Sequence, residues 1–176
     1  SGPQECPKND YLIEDNTVEE GFEFTIGISG IHCQTSVKIR NNSLSSLNAA
    51  QLNDLNDIQI IGNTISGNLS IQSYIYEPGD GGHDAVIQNN SIGHDLQIGD
   101  TLANYILTQN NIGRHVYAPG GSDQTITISN SYFGTTDPNE LSNLVFDNLD
   151  NYELATIQIV NPLSSPVNIT NVILPT

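Results

Sequence analysis

His94 and Asp95 stand side by side, and 20 residues later Arg114 and His115 do the same. An imidazole within hydrogen-bonding reach of a carboxylate can pass a proton as general acid or base. A guanidinium beside them adds a fixed positive charge. If the fold lays one pair over the other, His94 stacks on Arg114 and Asp95 on His115, the densest set of proton-handling groups in the chain. The same residues can form a solvated corner whose side chains merely complement one another. That reading is favoured here, because a two-residue corner offers no groove for a substrate.

A second set of chemical groups sits in Gly-, Pro- and Asp-rich segments. Tyr76-Glu-Pro-Gly-Asp-Gly-Gly-His-Asp84 and Tyr117-Ala-Pro-Gly-Gly-Ser-Asp-Gln124 have matching punctuation, and Gly99-Asp-Thr-Leu-Ala-Asn104 falls between them. Stacked on one side of a scaffold, these loops would gather Tyr76, Asp80, His83, Asp84, Asp100, Tyr117 and Asp123. Tyr rings pack on sugar faces, and carboxylates accept sugar hydroxyls or ligate Ca²⁺. No calcium-loop motif of known spacing accompanies them. Gly/Pro/Asp loops also serve simply to turn the chain.

Either set needs a scaffold that brings distant residues into line, and the chain contains one. Ile87-Gln-Asn-Asn-Ser-Ile92 returns as Ile13-Glu-Asp-Asn-Thr-Val18, Ile39-Arg-Asn-Asn-Ser-Leu44, Ile60-Ile-Gly-Asn-Thr-Ile65, Leu107-Thr-Gln-Asn-Asn-Ile112 and Ile128-Ser-Asn-Ser-Tyr-Phe133. The period is roughly 20 to 27 residues, the mark of a solenoid. A second beat follows the first: Ile65-Ser-Gly-Asn-Leu-Ser-Ile71 matches Ile92-Gly-His-Asp-Leu-Gln-Ile98 and Ile112-Gly-Arg-His-Val-Tyr-Ala118. Three short strands per repeat, with alternate residues turned inward, predict a single-stranded right-handed parallel β-helix of about six to seven rungs. A leucine-rich repeat has a similar period but needs a leucine-dense consensus that is missing here.

The fourth position of the first beat is Asn16, Asn42, Asn63, Asn90 and Asn110, then Ser131. The chain must bend sharply here; Asn tolerates the left-handed backbone region that such a corner needs, and its amide can bond the Asn of the coil above and below. These residues are predicted to form an asparagine ladder. Residues 45–57, Ser-Ser-Leu-Asn-Ala-Ala-Gln-Leu-Asn-Asp-Leu-Asn-Asp, interrupt the pattern as an irregular loop or a short helix.

Near the end, Asn130-Ser-Tyr-Phe-Gly-Thr-Thr-Asp-Pro-Asn-Glu-Leu precedes an amphipathic stretch. Asp137 suits an N-cap, Pro138 the first helical position, and Glu140 the third. A capping helix is predicted near 138–147, with Leu141, Leu144 and Val145 on one face. With this segment and the repeat together, the chain resembles the pectin-lyase-like superfamily in its generic secreted or cell-surface β-helix form. Phe133 stands where that closing pattern frequently has Trp. The resemblance covers about residues 11–165. It implies carbohydrate chemistry of some kind, since polysaccharide lyases and hydrolases use this fold. The lyases need a basic residue near a uronate, yet only Lys8, Lys38, Arg40 and Arg114 are basic, and none sits in a lyase motif.

The domain organisation expected is an N-terminal extension over 1–10, with a tag scar at Ser1 to Pro3, the β-helix over 11–165, and an extended tail or linker over 166–176 that leads into a neighbouring domain of a longer chain. Cys6 and Cys33 fall one rung apart, about 5 Å in a solenoid. They are expected to form a disulfide, which suits an oxidising compartment; two free thiols are the alternative.

Charge narrows the partners. Asp plus Glu number 20 against 4 Lys plus Arg, a formal charge of −16. Such a polyanion repels nucleic acid and anionic membranes. It fits Ca²⁺ binding, saline surroundings or plain solubility. No apolar run reaches the roughly 18 residues of a membrane span. Ice binding would need Thr repeated on neighbouring rungs, and only Thr125-Ile-Thr127 has the local pattern.

The expected function is a non-catalytic, secreted or cell-surface domain, a rigid spacer or carbohydrate-binding module with no obligatory cofactor. The alternative is a small polysaccharide lyase or glycoside hydrolase acting through Asp95, His94, Arg114 and His115.

Overall fold

The computed structural model describes residues 9–19, 23–28, 35–52, 55–72, 84–99, 104–121 and 123–169. Cys6, Cys33, Tyr76, Asp80, His83 and Asp100 lie outside the described residues. The chain forms an all-β parallel solenoid with three faces. The first face holds seven strands in chain order: Asn9–Glu14, Thr35–Arg40, Leu55–Ile61, Asp84–Gln88, Asn104–Thr108, Thr125–Ser129 and Thr156–Val160. The second holds the two-residue strands Ser43–Leu44, Thr64–Ile65, Ser91–Ile92 and Asn111–Ile112. The third holds Glu23–Ile28, Ser46–Leu52, Leu69–Gln72, Leu96–Ile98, Val116–Tyr117 and Val145–Phe146. Four turns therefore carry a described strand on every face. At either end the second face continues only as isolated bridges, Thr17 to Ser43 at one end and Asn111 to Tyr132 and Tyr132 to Leu163 at the other.

Register follows from the alternation of side chains. Ile13, Ile39, Ile60, Ile87 and Leu107 pair in succession and point to the same side, followed by Ile128 and Ile159. Leu44, Ile65, Ile92 and Ile112 do the same on the second face. Leu47, Leu69, Leu96 and Val116 do so on the third. The three columns meet in one hydrophobic core in which Ile39, Ile60 and Ile87 are fully buried. Each such side chain contributes about 1.5–3 kcal/mol on leaving water.

The corner after the first face divides its work between two adjacent residues. The residue before each ladder position adopts a left-handed backbone: Asp15, Asn41, Gly62, Asn89, Gln109 and Asn130 all have φ between 48° and 71°. The ladder residue, expected to take that left-handed conformation itself, leaves it to its predecessor and points inward. Asn42, Asn63, Asn90 and Asn110 are buried. Each amide nitrogen from Asn16 to Asn90 donates to the next Asn Oδ1 at 3.0–3.1 Å, and the same Oδ1 accepts the backbone N–H of the donor residue. The ladder closes on Ser131, whose Oγ accepts from the Asn110 backbone at 3.1 Å.

Two local expectations need correction. Within residues 45–57, expected as an irregular loop or a short helix, the described residues supply the strand Ser46–Leu52 and the start of Leu55–Ile61. Leu47 and Ala49 alternate inward in register with Leu69 and Ile71, and burial overrides the weak strand propensity of Asn and Ala. The helix stops at Pro138–Asn143. Asp137 caps it as expected, accepting from the Asn139 and Glu140 N–H groups at 2.8 and 3.3 Å. Val145 and Phe146 then pair with Val116 and Tyr117. An open sheet edge offered them ladder hydrogen bonds that a further helical turn could not match. The helix takes the place of a corner in that turn and sends Leu141 into the core.

The segment after the last strand is held to the solenoid as far as it is described. Leu163 bridges Tyr132. The Asn111 side chain accepts from the Val167 N–H at 2.7 Å and donates to its carbonyl at 2.9 Å. Among the described residues no helix is long and apolar enough to cross a membrane.

Candidate functional site

The third face turns its alternate side chains outward. Thr25, Asn48, Ser70, Gln97, Tyr117 and Phe146 pair in succession, so they form one exterior column along the solenoid. The early part of the column borders an open groove of about 710 Å³. Its walls include Glu23, Ser46, Asn68, Gln72 and His94 as well as Asn48, Ser70 and Gln97. The floor is tight for an exterior face. Ser70 is only 8% exposed, and Gln72 Nε2 donates to its Oγ at 3.4 Å. Asn48 Oδ1 is buried and no donor reaches it.

The later part of the column changes from amide and hydroxyl to aromatic. The Tyr117 ring stands 6.1 Å from His115 and 6.0 Å from Phe146, tilted to both. Tyr117 and Phe146 are 36% and 45% exposed. Ring centroids at this separation support each other as an aromatic group, while their outer faces remain open to a ligand.

Asp95 and His115 lie on the corner that leads into this face. The structure brings them together as the spacing predicts: His115 Nδ1 is 3.3 Å from Asp95 Oδ1, and Arg114 Nε is 3.7 Å from the same oxygen. That oxygen also accepts the His115 backbone N–H at 3.2 Å. One turn earlier, Asn68 Oδ1 accepts the Asp95 backbone N–H at 3.1 Å. Asp95 thus belongs to a second, shorter staple between turns. His94 is exposed and faces the groove, and its carbonyl accepts from the Arg114 N–H at 3.1 Å.

Of the loop residues predicted to gather, three are described. Asp84 opens a first-face strand beside Asp57 and Asn104, and accepts from Asn104 Nδ2 at 3.3 Å. Asp123 is exposed two residues before another first-face strand. Tyr117 projects from the third face instead. Among the described residues, no three His, Cys, Asp or Glu side chains converge closely enough to hold a metal ion.

Sequence reasoning missed Asn48, Ser70, Gln97 and Phe146. Their signal was present: in Leu69-Ser-Ile71, Leu96-Gln-Ile98 and Val116-Tyr-Ala118 the middle residue must face outward. It also missed Asp147, buried at the closing turn. Its Oδ1 accepts from the Leu149 N–H at 2.9 Å and its Oδ2 from the Ile157 N–H at 2.8 Å. Both carboxylate oxygens are occupied by backbone, so Asp147 is part of the frame.

No family model, curated protein or solved structure matches this chain. The class it can be assigned is therefore the architecture itself, a parallel β-solenoid.

Proposed function

We propose that this is a right-handed parallel β-helix of about six to seven rungs, of the pectin-lyase-like kind, serving as a rigid, non-catalytic domain of a secreted or cell-surface protein and binding carbohydrate on its third face. The single observation that carries this reading is the continuous exterior column, polar from Asn48 to Gln97 and aromatic at Tyr117 and Phe146. Sugars present hydroxyls to amides and apolar C–H faces to rings, so a surface offering both in line suits them. The solenoid keeps these groups fixed, which removes much of the ordering cost of binding. A Cys6–Cys33 disulfide is part of the proposal for the first turns.

The Asp95–His115 contact supports a structural role better than a catalytic one. Its acceptor oxygen already holds a backbone N–H of the next turn. The experiment is a glycan array combined with a thermal-shift screen of oligosaccharides and Ca²⁺. A binding glycan raises the apparent melting temperature. Binding without new reducing ends or unsaturated products supports the module. New ends or products would instead establish the lyase or hydrolase alternative, and no binding would leave only the spacer.

A further inference from the structure

The exterior column has a direction, and its lining has a charge. Successive residues of the column belong to successive turns, so the surface repeats along the solenoid axis at about 4.8 Å, the spacing of paired strands. One pyranose ring adds close to this length to a linear glycan. The groove and the aromatic ledge are consecutive stretches of the same column, joined where Gln97 pairs with Tyr117.

The charged groups that face this surface are few. Glu23 borders the groove, and the whole chain carries −16. His94 faces the groove as an imidazole, and beside the ledge Arg114 lies against Asp95. With the chain at −16, a uronic acid or sulfated sugar would meet a net negative field, with no Lys and no unengaged Arg among the described residues around the column. Hydroxyl groups would meet the polar side chains of Ser70, Gln72 and Gln97.

Resting on the carbohydrate reading above, we infer that the ligand is a neutral, unbranched glycan lying parallel to the solenoid axis, one ring per turn, with its hydroxyls over Asn48, Ser70 and Gln97 and the far end stacked on Tyr117 and Phe146. Length then sets affinity. Each added ring reaches one more turn, until the stretch from Asn48 to Phe146 is covered at about five rings.

The test is calorimetric titration of the full chain with linear neutral β-linked hexose oligomers of increasing length, and with a uronic acid series of the same lengths. Affinity is expected to climb with every ring up to about five, and Tyr117→Ala should lower it about tenfold for the long oligomers while leaving the shortest unchanged. Ser70→Trp should abolish binding by filling the groove floor, with circular dichroism confirming the fold. The uronic series should bind more weakly, and the gap should narrow in high salt. Affinity that stops rising after two rings, or equal affinity for the uronic series, overturns the inference and leaves the carbohydrate reading standing. If no oligomer of either series binds, the carbohydrate reading falls with it.

Discussion

The solenoid turns two well-described corners in every complete coil, and they are built on different principles. The first corner repeats one solution. A left-handed residue redirects the chain, and a buried Asn bonds to its own copy in the next coil. The second corner varies: Ser66-Gly67-Asn68, then Gly93-His94-Asp95, then Gly113-Arg114-His115. Its staples run the opposite way, from the backbone N–H of the later turn to the side chain of the earlier one. The first corner is buried and must satisfy every polar atom internally. The second is half open to water, so its side chains are free to differ. Variation at the second corner is thus what allows the adjoining third face to acquire a groove at one end and an aromatic ledge at the other.

The largest effect should come from breaking the first corner. Asn90→Ala removes the acceptor for the Asn63 backbone and amide nitrogens, and the donor to the Ile60 and Gln88 carbonyls. With the Asn63 backbone N–H stranded in the core, the Asn63 amide left only the Ile39 and Ile61 carbonyls, and a cavity where the amide stood, stability should fall by about 3 kcal/mol, read from the urea unfolding midpoint. A loss under about 1 kcal/mol would mean that water enters the ladder, and the contrast between corners would weaken.

Gly93→Ala comes next. A Cβ there would lie 2.2 Å from the Ser66 carbonyl oxygen, and Gly113 meets the Gly93 oxygen at the same distance. At Gly93 and Gly113 the second corner is closed to side chains by backbone, not by charge, whereas the coil before them carries Ser66 at the equivalent place. The expected loss is about 2 kcal/mol as the two coils shift apart, again by chemical unfolding. A neutral result would show the corner to be pliant.

How much of this was legible follows from the same contrast. The ladder could be read from sequence because one residue type recurs at one place, and because the inward aliphatic residues around it alternate. The left-handed position was harder to assign, because Asp15, Asn41, Gly62, Asn89 and Gln109 are chemically diverse and share only tolerance of positive φ. The third-face column left no repeated letter at all. Asn48, Ser70, Gln97 and Tyr117 are related by register alone, and register emerges only once the inward residues are paired. The end of the helix was misread for an energetic reason. Leu141, Leu144 and Val145 satisfy helical periodicity, but Val145 gains more by pairing with Val116. That Tyr117 projects from a different face than Asp84 and Asp123 could not be read from their shared Gly/Pro/Asp punctuation, which carries no pattern that aims side chains.

Asp95→Ala should cost about 1 kcal/mol, since the His115 N–H loses its acceptor at a corner that water can partly reach. Asp95→Asn keeps an oxygen for that N–H and should stay within about 0.5 kcal/mol of the parent. The pair of variants, compared by thermal unfolding, separates the staple from the charge. If Asn fails to rescue, the carboxylate is kept for its charge, and the proton-handling role of His115 regains support.

The smallest effect is expected at Arg114, and it decides the same question from the other partner. Its side chain is 53% exposed and its nitrogen lies 3.7 Å from Asp95 Oδ1. An ion pair this open is screened by water and salt, so Arg114→Ala should change stability by less than about 0.5 kcal/mol, and raising the salt should produce no larger change in the parent protein. A corner held by a cooperative Arg–Asp–His network predicts otherwise: Arg114→Ala would then cost as much as Asp95→Ala, and the double variant no more than either alone. Additivity in that cycle would establish that Asp95 binds the backbone of the next coil independently of Arg114. The second corner would then be a staple with decorated ends, and whatever ligand the protein takes would be met by the face beside it.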